Sequence, residues 1–144
     1  MFELGTDGPN VLLVAVDGSE TSLRAAAYAA GLARRQGSKL VVLFVHTLGA
    51  TGISPEATTA VRFSNNAVAE ELRAAIAEQA PRLGVDVTLV EREGNPFAEI
   101  VRLAEERRVD AVIVGASTKA GHRLIGSLAV HLVKDARWPV TVVP

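Results

Sequence analysis

Val11-Leu12-Leu13-Val14-Ala15-Val16, closed by Asp17-Gly18-Ser19-Glu20, is the stretch that decides the fold. The run is apolar without polar alternation. It is preceded by Pro9-Asn10 and followed by turn residues, which is how a strand covered on both faces reads. Ser19 can cap a helix directly behind it, with Glu20 in the first turn, where a carboxylate meets the positive end of the helix dipole. Leu23, Ala26, Ala27, Ala30 and Ala33 then repeat at helical spacing as the expected buried face. Arg24, Tyr28, Arg34 and Arg35 fall elsewhere, and Gly37 supplies a stop.

The same alternation continues outward. Further strand-like runs are Lys39 to Val45, Asp86 to Val90, Ala111 to Val114 and Val140 to Val143. A long helix is expected from Ser54 or Thr58 to Gln79, with Val61, Val68, Leu72, Ala75 and Ile76 as its buried stripe. Gly49 to Pro55 reads as the one long irregular stretch. Asn95-Pro96 is a helix start with proline at the first position, followed by Phe97, Ile100, Val101, Leu103 and Ala104 at helical spacing. A last helix is expected from Gly126-Ser127 to about Ala136, with Leu128, Leu132 and Val133 inside. Arg137-Trp138-Pro139 should end it just before the final strand. Strands alternating with helices imply an α/β domain built on one open, mainly parallel five-stranded sheet with helices on both faces.

Composition narrows the function. The chain has 144 residues, one domain's length. It has no cysteine, which excludes disulfides, thiolate metal sites and a cysteine nucleophile. Fifteen basic against sixteen acidic side chains give a net charge of −1, and aromatics are 4%. Neither a basic excess nor a base-stacking platform is present, so no nucleic-acid partner is expected. No apolar run approaches the roughly 20 residues of a membrane span, and Met1 to Asn10 lacks the pattern of a signal peptide. The expected organisation is a flexible leader over residues 1–9 and one domain over residues 10–144, in a cytoplasmic protein without a membrane partner.

In open parallel sheets the ligand crevice lies beyond the carboxyl ends of the strands, where the strand order reverses. Asp17 closes the first strand. The fourth is followed by Gly115-Ala116-Ser117-Thr118-Lys119-Ala120-Gly121-His122-Arg123-Leu124-Ile125-Gly126-Ser127, which combines glycines, hydroxyls and basic side chains and leads into a helix N-terminus. Such an N-terminus attracts phosphate. Plainer readings stand beside this one. Gly121 can serve only a turn, Ser127 only a cap, and Asp17 only an Asx-turn with Gly18-Ser19. Lys119 and Arg123 can be solvated surface charge. Gly121 to Ser127 lacks the lysine of a P-loop, no G-x-G-x-x-G follows a strand, and Ser117 is not in a G-x-S-x-G elbow. His46, His122 and His131 lack metal-ligand spacing, so no metal site is expected. His131 is expected at a helix edge. No paired carboxylates or activated nucleophile are placed for turnover. No catalytic residues are assigned, and any ATP hydrolysis is expected to be slow.

Val14-Ala15-Val16-Asp17-Gly18-Ser19-Glu20, Glu93-Gly94-Asn95-Pro96, Asp110-Ala111-Val112-Ile113-Val114-Gly115, Leu124-Ile125-Gly126-Ser127 and Arg137-Trp138-Pro139-Val140-Thr141-Val142-Val143, in that order, make the chain resemble the universal stress protein family over about residues 10 to 144. The resemblance implies the adenine nucleotide alpha hydrolase-like fold, with sheet order 3-2-1-4-5, and a homodimer paired through the C-terminal strand. It further implies a stress-response protein that binds ATP or another adenine nucleotide, with Mg as a candidate companion ion, and acts as a sensor or switch. A cyclic AMP binder and a dimeric adaptor without nucleotide are the alternatives. A small enzyme on the same fold, using Asp17 or His122, is a third.

By position in the family pattern, Asp17 and the Val45 backbone would meet the adenine, and Gly115, Gly126 and Ser127 would hold ribose and phosphates. Ser117, Thr118, Lys119, Gly121 and Arg123 are auxiliary phosphate candidates. The chain departs from the pattern of ATP-binding members, which is glycine, two residues, glycine, nine residues, glycine, then Ser or Thr. Thr118 stands where the second glycine belongs, and the loop is two residues shorter. That loop either fills the phosphate site or lets Gly121 take the missing role, with Lys119 or Arg123 supplying charge.

Overall fold

The computed structural model describes residues 4–5, 8–47, 54–117 and 125–144. Its elements are β1 (Val11–Val16), α1 (Glu20–Gln36), β2 (Lys39–His46), α2 (Pro55–Leu83), β3 (Val87–Glu93), α3 (Pro96–Arg107), β4 (Ala111–Gly115), α4 (Ser127–Asp135) and β5 (Val140–Val143). The five strands form one parallel sheet in the order β3-β2-β1-β4-β5, the order that the family resemblance implies.

The strands are apolar throughout because both faces are covered. Along β1 and β2, Leu12, Val14, Leu40, Val42 and Phe44 pack under α1 and α2. Their neighbours Leu13, Val41, Leu43 and Val45 pack under α3 and α4 with Ile100, Leu103 and Leu132. The period of two in a strand divides one continuous apolar run between two cores. At the amino end of the sheet, Asp110 Oδ2 accepts from the amides of Asn10 and Val11 at 2.7 and 2.9 Å, tying the start of β1 to that of β4.

The helix starts follow the sequence closely. Ser19, Ser54 and Asn95 each accept a hydrogen bond from the amide three residues on, at 3.3, 3.1 and 3.0 Å. Ser54, not Thr58, is therefore the cap of α2, and Pro55 is its first residue rather than loop. Residues 49–53 of the expected irregular stretch lie outside the described residues.

Other expectations change. The helix α2 runs past Gln79 and through Pro81 to Leu83, where Gly84 at φ 68° ends it. Pro81 and Ala77, the residue whose carbonyl loses its donor, are both exposed, so the missing bond falls where solvent can reach it. The strand β3 runs on through Glu91-Arg92-Glu93. It is an edge strand, and its charged side chains reach Arg73 on α2 and Glu106 on α3.

The buried face of α1 is Thr21, Ser22, Ala25, Ala29 and Ala33, while Leu23 is 46% exposed. Two hydroxyl residues displace Leu23 from the sheet because each finds a backbone acceptor, buried for Thr21 and half-buried for Ser22. On α4, Ala129 and Leu132 are buried and Val133 is exposed, because this short helix presents one narrow face to the sheet. His131 is exposed and stacks on Phe97 of α3, with ring centroids 3.5 Å apart. Trp138 packs against the second core ahead of β5. No helix among the described residues is long and apolar enough to cross a membrane.

Candidate functional site

The sheet opens at one place. Pairing of β1 with β4 covers Leu12–Val14 and stops at Val14 with Ile113, while β4 continues beside β5 to Gly115 with Val143. On the other side, β1 pairs with β2 to Val16 with Phe44, and β2 continues beside β3 through Val45 and His46. Strand order reverses between β1 and β4, so this is the switch point where open α/β sheets form a ligand crevice. Asp17, Val45 and Gly115 all stand at its rim.

The N-terminus of α1 enters that opening. The Thr21 hydroxyl donates to the Ala116 carbonyl at 2.6 Å, across the gap between β1 and β4. A Cβ on Gly115 would lie 2.6 Å from the Thr21 carbonyl group and 2.7 Å from the Ser22 nitrogen. Only glycine admits the helix backbone so close to a strand. Gly115 thus belongs to β4, one residue beyond the expected strand end, and helix packing alone accounts for its identity. Ser22 completes the joint. Its hydroxyl accepts from the Asp17 amide at 3.3 Å and donates to the Ser19 carbonyl at 2.9 Å.

Asp17 Oδ1 accepts from the Ser19 amide at 2.8 Å, the Asx-turn that Gly18-Ser19 suggested. Gly18 sits at φ +89° with the Val68 side chain of α2 against it, so this turn needs glycine on conformational grounds. Asp17 itself is exposed at the mouth of the crevice. Burial by the surrounding protein pushes its carboxyl up. Hydrogen bonds from the Ser19 side chain and backbone, with smaller help from Ser22 and its own amide, outweigh this and hold it below the usual carboxylate range.

On the far side of the crevice, Gly126 is the N-cap of α4 and makes no side-chain cap hydrogen bond. Ser127 is the first helical residue and is exposed, so it is not the cap. The early amides of α4 are left without a side-chain acceptor of their own cap. Gly126 lies against Ser117, whose Cβ would be 3.0 Å from a Cβ at position 126. Thr21, Ala116, Ser117 and Gly126 therefore follow one another in space from the helix dipole of α1 to that of α4.

Of the auxiliary phosphate candidates, Ser117 is at this junction. Thr118, Lys119, Gly121 and Arg123, together with His122, lie outside the described residues. Val45 is buried, and beyond it His46, Arg62, Asn65, Asn66 and Glu93 line a polar cavity of about 120 Å³. Among the described residues, no group of three or more His, Asp or Glu could hold a metal ion.

Sequence reasoning missed Thr21 and Ser22. The available signal was a pair of hydroxyl residues in the first turn of an otherwise alanine-rich helix, at positions where a strand end can supply acceptors.

The chain matches the family model described as "Universal stress protein family" over residues 10–144. A universal stress protein of Methanocaldococcus jannaschii is 28% identical over 141 residues, covering 92% of this chain and 80% of that one. The solved universal stress protein UspA of Lactobacillus plantarum superposes with a TM-score of 0.74 at 23% identity, covering 94% of this chain and 97% of that one. A universal stress protein solved in complex with cAMP superposes at 0.61 with 27% identity, over 94% and 96% of the two chains. Since the family match spans the whole sheet, from the strand that leads into Asp17 to the edge strand β5, this chain belongs to the universal stress protein family.

Proposed function

We propose that the protein binds an adenine nucleotide in the crevice between β1 and β4 and serves as a stress-response sensor or switch. The observation that carries this reading is the opening of the sheet beyond Val14 and Ile113. It is walled by the Asp17 turn on one side and by the N-cap of α4, without a side-chain acceptor, on the other. The first offers an acceptor to an adenine amino group or a ribose hydroxyl. The second offers amides to an anion. The 27%-identical relative in complex with cAMP supports the ligand class. ATP is the ligand proposed first, with cyclic AMP as the alternative.

The site suits a switch better than a fast enzyme. A general base works best when its pKa lies near the working pH. The Asp17 carboxyl is held below its usual range and is already engaged by Ser19. The proposed molecule is a cytoplasmic homodimer joined through β5.

Isothermal titration calorimetry with ATP, ADP, AMP and cyclic AMP at low salt tests the proposal. At least one nucleotide is expected to bind, and Asp17→Ala should weaken it by about 1–3 kcal/mol if the group it meets is buried. Absence of binding by all four, with the fold intact, overturns the nucleotide reading in favour of the adaptor. The altered loop, with Thr118 in place of a glycine, is what favours that second reading.

A further inference from the structure

The two helices on one face of the sheet stand apart. The helix α1 packs mainly on β1 and β4, and α2 on β3 and β2, which leaves a gap above β2. The sequence does not fill it. The side of α1 that faces the gap carries Ala26, Ala27 and Ala30, and α2 buries only Ala69 and Leu72 of its 29 residues. A cavity of about 220 Å³ results, floored by Leu40, Val42, Val85 and Val87 and walled on α2 by Ile76 and Leu83. Leu23 and Leu83 stand at its edge, each 46% exposed. Among the described residues no charged side chain lines it, and Gln79 supplies the one polar side chain.

We propose that this cleft is a second binding site, separate from the nucleotide crevice, for a small uncharged apolar molecule, such as one carrying a single aromatic ring. The chemistry of the walls selects the class. A charged ligand would lose its hydration and find no partner. An apolar one removes surface from water and restores dispersion contacts that the alanines leave unmade. Size selects against a protein partner. A helix with its side chains is about 10–12 Å across, and an extended strand would bury a row of backbone groups against walls whose one polar side chain is Gln79. An apolar cavity of about 150 Å³ in another protein takes up benzene, so 220 Å³ accommodates a substituted ring.

Toluene is the probe, added without nucleotide to the full chain and followed by methyl NMR and thermal unfolding. Saturable shifts are expected at the methyl groups of Leu23, Ile76 and Leu83, with a rise in Tm of about 2 °C or more near saturation. Ala30→Leu should fill the cleft and weaken toluene binding at least fivefold. Should that variant fail to fold, Ala26→Val serves the same purpose. Absence of saturable shifts in the unmodified chain overturns the proposal, as does unchanged toluene affinity in a folded filling variant. A change of oligomeric state in that variant would make the cleft a contact between copies of the chain and would also overturn it.

Discussion

The Thr21 hydroxyl and the missing side chain of Gly115 are two halves of one joint. Thr21 donates to Ala116 at 2.6 Å because the backbone of α1 can come within reach of β4, and it can do so because position 115 has no Cβ. The joint ties the Asp17 turn and the start of α1 to the end of β4. It lies in the crevice but is made entirely by the chain itself.

Gly115→Ala is therefore expected to destabilise the fold by about 1–3 kcal/mol or more, the range for forcing atoms into a packed site. The clash is with backbone, which cannot rotate away. Thr21→Val keeps the shape and removes the donor, leaving the Ala116 carbonyl without it, at a cost of about 1–3 kcal/mol. Urea unfolding of both variants checks this. Near-wild-type stability in Gly115→Ala would mean that α1 does not approach β4 this closely.

Glu91 makes an acid-sensitive link between β3, β2 and α2. Its carboxylate pairs with His46 at 3.1 Å and with Arg73 at 3.0 Å. Burial pushes its carboxyl up, but the hydrogen bonds and charges of His46 and Arg73 hold it below the usual range. A carboxyl depressed in the folded state stabilises fully above its unfolded value and loses that contribution as pH falls through the folded one. Glu91→Gln should thus cost about 0.5–1 kcal/mol at pH 7. The gap should shrink as the pH falls below about 4.3, the ordinary glutamate value. Unfolding curves at pH 7 and pH 3 test the sign, and a gap of the same size at both values would contradict it.

The altered loop leads to a salt dependence. Gly126 and the first amides of α4 remain to attract a phosphate. Thr118 and the two-residue shortening are expected to remove backbone donors, each worth roughly 1.5–3 kcal/mol toward a charged group. Lys119 and Arg123 are then expected to compensate in part and weakly, as side-chain charges that salt screens. ATP affinity should fall as salt rises, and Arg123→Ala should flatten the slope. Tight, salt-independent binding would mean that Gly121 has rebuilt the phosphate cradle.

The strands, apart from the charged end of β3, and the starts of α1, α2 and α3 were legible because each rests on local chemistry: a valine-rich run, or a Ser or Asn with its cap bond. Helix ends divided by residue type. Gly37 marks α1 and Pro139 placed the end of α4 near Ala136, but α2 runs past the expected Gln79 to Gly84, and α3 ends on Arg108, held at positive φ with nothing in the sequence to say so. The rotated face of α1 was illegible for a different reason. Thr21 and Ser22 are polar by composition, and only the carbonyls offered by Ala116 and Ser19 make burying them favourable. The approach of Gly115 to Thr21 was illegible as well, because sequence shows that a side chain is missing but not what occupies its place.

The edge strand carries the last prediction. Val112 donates to Pro139 and Ala116 to Val143, at 2.9 and 2.8 Å. Alternate residues of a parallel strand bond to the same neighbour, so residues 139, 141 and 143 face β4, and the backbone groups of Val140 and Val142 point away from the sheet. Such an edge is open to pairing with another chain. A two-fold pair of β5 strands would satisfy those groups and cover the partly buried Val140 and Val142. Val142→Pro removes an outward donor while leaving the bonds to β4 in place, and proline is tolerated on edge strands when its missing donor faces outward. The unmodified chain is expected to sediment as a dimer, and the variant should remain folded by circular dichroism and sediment as a 15.1 kDa monomer. A dimer that survives Val142→Pro would have to be joined through another surface.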